Sequence, residues 1–161
     1  MYDTALSRFT SHSIYKENSA RDPDFSASQS YLRQNAACCI FPTDPNMLLI
    51  AGGVSTHQVL ILTYNPYLNS FTIKRAMSTL RTQRSNHRVV ACQGYFYAIG
   101  GSTMSHEDLR TCEKIAYAGV DKLGQWNQNV AQMNAGRKNF AALVVSSESR
   151  ILVIGNGTTL Q

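Results

Sequence analysis

Four histidines (His12, His57, His87, His106) and four cysteines (Cys38, Cys39, Cys92, Cys112) are the side chains from which a metal centre or a nucleophilic site would be built. A structural zinc site needs Cys or His in closely spaced pairs. None of the histidines stands at such a spacing from a Cys or Asp. Cys38 and Cys39 are adjacent, so on a strand they point to opposite faces. Three of the four cysteines lie in apolar, strand-like runs and read as reduced, buried small hydrophobes. Ser, His and Asp all occur, but no Gly-x-Ser-x-Gly elbow frames a nucleophile. Gly155-Asn156-Gly157-Thr158-Thr159 is followed by two residues in this sequence and opens no helix that could hold a phosphate. Glu107-Asp108 reads as a solvated pair. These residues predict no catalytic group, no metal and no cofactor.

The arginines are more informative. Arg33, Arg84 and Arg137 each begin an Arg-x-Asn triplet that precedes an apolar run. A guanidinium fork can bind a carboxylate through two parallel hydrogen bonds, so exposed arginines at one rim would suit an acidic peptide. The same fork can instead brace a loop by donating to backbone carbonyls. Recurrence in every repeat favours bracing, with partner contact as the alternative. His87 follows one of these triplets and reads as a repeat-position residue rather than a ligand.

Composition sets the frame. The chain has 161 residues, 43% of them hydrophobic, enough for a real core and unlike a disordered chain. No apolar run approaches the roughly 18–20 residues of a membrane span. The first 30 residues hold no basic patch followed by an apolar core, so no signal peptide is expected and the chain reads as cytoplasmic. A formal charge of +5 is compatible with an acidic partner. The Lys and Arg are scattered, apart from a loose cluster at 74–88, which argues against nucleic-acid binding.

Residues 1–30 are polar, with a weak strand near His12–Lys16 and a loop over Ser19–Ser30. Strands are expected at 36–41, 47–51, 58–64, 70–75, 88–92, 95–99, 111–118, 125–129, 139–145 and 151–154. Turn residues separate them, which indicates an all-β chain. Runs ending in glycine recur: Met47–Gly53, Tyr95–Gly101 and, altered, Ile151–Gly157. The glycine pairs begin at 52 and 100, with an analogue at 155, while the arginines stand at 33, 84 and 137. A third marker is an aromatic followed by Met: Phe71 with Met77, and Trp126 with Met133. Three markers in one order at a period near 50 residues signal a repeat architecture.

These residues resemble the kelch repeat, in which about 50 residues build one four-stranded propeller blade. One repeat reads Arg33, Gly52-Gly53, Tyr64, Phe71, Met77. The next reads Arg84, Gly100-Gly101, Glu113 to Tyr117, Trp126, Met133. A third begins at Arg137 and stops after Gly155, with Asn156 interrupting its glycine pair. The resemblance implies blades at 33–77 and 84–133 and a half blade at 137–157. It also implies an incomplete β-propeller arc, because propellers close with about 4–8 blades. Residues 1–30 could supply outer strands of a preceding blade. Open blade faces are apolar, so other subunits could cover them. Gly52, Gly53, Gly100, Gly101, Gly155, Tyr64, Phe71 and Trp126 are expected to be structural.

Start of first strand and end of second lie side by side in an antiparallel pair. Arg33, Arg84 and Arg137 should therefore share a rim with Ser55, Thr56, His57, Ser102 and Thr103. In kelch proteins this rim commonly captures peptides. The resemblance implies a non-catalytic protein-interaction module or scaffold. It leaves two alternatives: part of a BTB-kelch adaptor of a cullin-type ubiquitin ligase, or a fragment of a propeller enzyme of the copper-oxidase or sialic-acid-epimerase type. The long loop Ser102–Thr111 is either functional or a solvated insertion.

Overall fold

A computed structural model describes residues 14–16, 33–118, 123–145 and 149–155. Every regular element among them is a strand. They are β1 (Ile14–Lys16), β2 (Ala37–Phe41), β3 (Asp44–Ala51), β4 (Val59–Asn65), β5 (Ser70–Arg75), β6 (Arg88–Cys92), β7 (Tyr95–Ile99), β8 (Cys112–Ala116), β9 (Ala141–Val145) and β10 (Arg150–Ile154). Nine of the ten expected strands form within a few residues of their predicted bounds. No helix among the described residues is long and apolar enough to cross a membrane.

The strands make three sheets in the orders β1-β5-β4-β3-β2, β6-β7-β8 and β10-β9. Apart from β1, each sheet is an antiparallel meander. The sheets stand face to face as successive blades, with β2 beside β6 and β6 beside β9. The chain is thus an all-β arc of two blades and half of a third. β1 pairs parallel with β5. Ile14–Lys16 therefore joins the outer edge of the first blade and not a blade preceding it. The rest of the N-terminal segment lies outside the described residues.

Period-two alternation sends each strand's side chains to two different interfaces. Leu49, Ala51, Val59 and Ile61 face the second blade, where they meet Val89, Phe96, Ala98, Ile115 and Trp126. Phe41, Phe96 and Tyr117 close this core as edge-on and tilted rings, with Phe41 and Phe96 centroids 4.8 Å apart. A second core joins Val90, Ile99 and Cys112 to Phe140, Ala142, Val144, Ile151 and Val153 of the half blade. Beyond it, Leu143, Leu152 and Ile154 are exposed, the open apolar face that an incomplete arc predicts.

Two expectations need correction. No strand forms over 125–129; that segment touches β8 through one bridge, Asn127 with Lys114. Gln125, Asn127, Gln128 and Asn129 flank a lone apolar residue, so only Trp126 gains by burial. The pairing of Phe71 with Trp126 and of Met77 with Met133 is also displaced. Asn127 bridges Lys114 as Lys74 pairs with Ile61, which puts Ile73 in the place of Trp126. Ile73 is 4% exposed and Trp126 0%, whereas Phe71 is half-buried against Tyr64 at 4.9 Å. Leu80, 2% exposed, fills the role of Met133, and Met77 lies wholly in solvent. Ile73, Leu80 and Arg84 repeat as Trp126, Met133 and Arg137 with identical spacing. The expected break at Asn156 lies outside the described residues.

Candidate functional site: an inter-blade rim cleft

The rim begins at the Arg-x-Asn triplets. Asn35, Asn86 and Asn139 all adopt left-handed φ, at 62°, 55° and 52°. Asn tolerates that conformation better than other side-chain-bearing residues, which accounts for its place in the triplet. The turn lets the three backbones bond in series. The Asn86 amide donates to Asn35 O, and the Asn139 amide donates to Asn86 O, both at 3.0 Å.

The glycine pairs complete the junction. The Gly53 amide donates to Arg84 O at 3.0 Å, and the Gly101 amide donates to Arg137 O at 2.7 Å. A Cβ on Gly52 would stand 2.6 Å from Arg84 O, and one on Gly100 would stand 2.7 Å from Arg137 O. Both glycines also have positive φ, at 64° and 55°, so close approach and backbone conformation each require glycine there.

The arginine side chains turn inward. Arg84 is 1% exposed. Its Nη1 donates to Gly100 O at 2.8 Å and to Thr111 O at 3.0 Å, and its Nη2 donates to Glu113 Oε1 at 2.7 Å. Glu113 accepts in turn from the amides of Arg81 (2.6 Å) and Thr82 (2.9 Å). This carboxylate ties the inter-blade link to the third strand of the second blade. Arg137 repeats part of the pattern, donating to Gly155 O at 2.6 Å. The Arg84 side chain therefore braces the junction from within, at the base of the rim cleft. Arg33 is exposed beside Gly53. Glu113 was read from sequence only as the start of the repeat marker Glu113 to Tyr117, with no charge partner assigned to it.

Above the buried Arg84, the loops after the two glycine pairs leave a cleft of about 310 Å³. Ser55, Ser102 and Thr103 line it, joined by Gln83, Asn86 and Met104. Three of the predicted rim residues thus converge between the first two blades. Ser85 Oγ and Ser102 Oγ lie 3.3 Å apart at its base. His57 lies in an adjoining open groove with Arg81 and Thr103, and its Nδ1 donates to Leu80 O at 3.0 Å. Thr56 is buried and accepts from the Gln58 amide. Arg137 lies at the next junction, outside this cleft.

The loop Ser102–Thr111 is tied down along its length. Ser102 bridges both Ser85 and Asp108, and the Leu109 amide donates to Gly101 O at 2.8 Å. Asp108 pairs with Lys138 at 2.9 Å, linking the loop to the next blade. Thr103 and Ser105 hydroxyls lie 2.7 Å apart at its tip, where His106 takes a φ of 63°. This holds one wall of the cleft in place.

The reactive residue types have structural surroundings. His87 is fully buried and packs against Gly52, the position Phe140 takes against Gly100. Burial first, then the charges of Arg84 and Arg88, lower its pKa from 6.5 to about 3, so the ring is neutral. All four cysteines are free, and burial pushes the Cys39 and Cys112 thiols up, away from the reactive thiolate. Among the described residues, no three His, Cys, Asp or Glu side chains gather as a metal site.

A family model described as the Kelch motif matches residues 83–115, the stretch from the inter-blade link through β8. No curated protein matches the chain.

Proposed function

We propose that this chain, with a kelch repeat in its second blade, is a non-catalytic protein-interaction module that captures a peptide in the rim cleft. The observation that carries the reading is the convergence of Ser55, Ser102 and Thr103 on one cleft of about 310 Å³. Its walls offer hydroxyls, amides and the apolar Met104, a mixture suited to a short extended segment. At its base, the buried Arg84 side chain is neutralised by Glu113 and bonded to the Gly100 carbonyl. The exposed Arg33 beside Gly53 and Arg81 in the adjoining groove, with a net charge of +5, favour an acidic peptide. The non-catalytic reading is supported by the burial of Glu113, His87, Cys92 and Cys112 inside the fold. A cytoplasmic location belongs to the same proposal and is supported by the four free thiols.

The test is selection of peptides from a random library on the immobilised protein. Binders are expected to lose at least about tenfold in affinity when Val54→Trp or Thr103→Trp fills the cleft. Selected peptides that bind both variants unchanged would contradict the proposal.

A further inference from the structure

The rim cleft shares Gln83, Thr103 and Met104 with the open groove beside it, which has a volume of about 480 Å³. Segments of two blades build that groove. His57 comes from the loop after β3, Arg81, Thr82 and Gln83 from the link between the blades, and Thr103 and Ser105 from the loop after β7. No described carboxylate lines either opening. Glu113 is engaged below by Arg84 and the link amides, and Asp108 by Lys138.

The groove is rich in donors that are already held in place. Arg81 is exposed, yet its amide donates to Glu113 Oε2 and its Nε to Trp126 O at 3.0 Å. Both Nη groups are left without an acceptor among the described residues. Thr82 Oγ1 accepts from Gln128 Nε2 at 2.7 Å, so its own hydrogen is available to a ligand. The Thr103 and Ser105 hydroxyls share one hydrogen bond, which leaves one hydrogen over. Leu80 O can only accept, so His57 Nδ1 carries the hydrogen, and a protonated ring adds a donor at Nε2. Donors positioned in advance cost little ordering on binding.

The number of donors points to the kind of anion. A carboxylate has two oxygens, which the Nη groups of Arg81 satisfy alone. A phosphate monoester carries about −1.5 to −2 charges and three acceptor oxygens, enough to engage the hydroxyls and His57 as well. The cleft next to it adds an apolar preference, because Val54 and Met104 line it and are 42% and 64% exposed. Granting the rim cleft as the peptide site, we infer that the groove reads a phosphoserine or phosphothreonine of the captured peptide. Arg81 is the specificity-determining residue, and an aliphatic side chain of the peptide enters the cleft. The peptide passes from one opening to the other over Thr103 and Met104, which line both.

Random peptide pools with a fixed central phosphoserine, serine or glutamate, passed over the immobilised full chain, test this. The phosphoserine pool should be retained most. Individual peptides from it should lose at least about tenfold in affinity when dephosphorylated, and as much when glutamate replaces the phosphoserine, with the protein unaltered. Arg81→Gln should cause the same loss, with a melting curve to show that the blades persist. Val54 lines the cleft but not the groove, so Val54→Trp should weaken the phosphorylated peptides too. Glutamate peptides that bind as tightly as phosphorylated ones would overturn the inference and leave the cleft reading standing. So would a phosphoserine pool retained no better than the serine pool. Phosphorylated peptides that depend on Arg81 but not on Val54 would contradict the cleft reading instead. Vesicles of phosphatidylcholine with phosphatidylinositol phosphate that bind through Arg81 more tightly than any peptide would assign the groove to a lipid headgroup and overturn the peptide.

Discussion

Arg84 Nη2 lies 2.7 Å from Glu113 Oε1, and neither side chain has any solvent exposure. The pair joins the first strand's approach to the third strand of the same blade, and Glu113 extends it to two link amides. One side chain therefore closes the blade and anchors its connection to the blade before it.

Removing one partner of this pair leaves a buried charge. Glu113→Gln is expected to cost about 3–5 kcal/mol, read as the loss in urea unfolding free energy. Replacing both, Arg84→Met with Glu113→Leu, should recover part of that loss, since Leu60 stands at the Glu113 position in the first blade. Full recovery is not expected, because the Arg81 and Thr82 amides lose their acceptor at about 1–3 kcal/mol.

His87 gives the fold an acid sensitivity of known sign. The folded protein keeps the ring neutral to about pH 3, while the unfolded ring takes a proton below 6.5. The contribution is intact above pH 6.5 and declines as pH falls from there toward about 3, by up to about 1.4 kcal/mol per unit. His87→Phe, which copies Phe140 of the next blade, should raise the melting temperature and flatten its pH dependence between 6.5 and 4.

Glycine matters at the junctions and less elsewhere. Gly100→Ala places a methyl 2.7 Å from Arg137 O at a φ of 55° and should cost more than about 2 kcal/mol. Gly94→Ala has no atom within 4 Å, so it carries only the left-handed strain of about 1–2 kcal/mol. Thermal melts of both variants separate steric from conformational cost.

The corrected repeat register is tested by two truncations. Leu80→Ala should cost about 2–5 kcal/mol, because Leu80 lies in the core between blades. Met77→Ala should change stability by less than about 0.5 kcal/mol, because Met77 is in solvent.

Much of this architecture was legible in the chain. Positive φ favours Gly or Asn, and the junctions place both at fixed positions, so Gly52, Gly100, Asn35 and Asn86 mark the repeat openly. Ile73 was missed because any large apolar side chain fills its role, and the nearby Phe71 looked more like Trp126. The irregular segment around Trp126 was missed because one buried indole anchors it without a ladder. Glu113 was visible as a residue, but its three donors come from positions 81, 82 and 84, which only the folded chain brings to it. The cleft likewise belongs to two loops about 48 residues apart, from Ser55 to Thr103, and exists only once the blades stack.

Capture of the partner in the cleft between the first two blades is the central claim. Hydrogen exchange on the full chain, alone and with a library-selected peptide, tests it most directly. Protection is predicted at Gly53–Ser55 and Ser102–His106, with the amides of β4 and β5 unchanged. Protection absent from both loops, with the peptide bound, would contradict it.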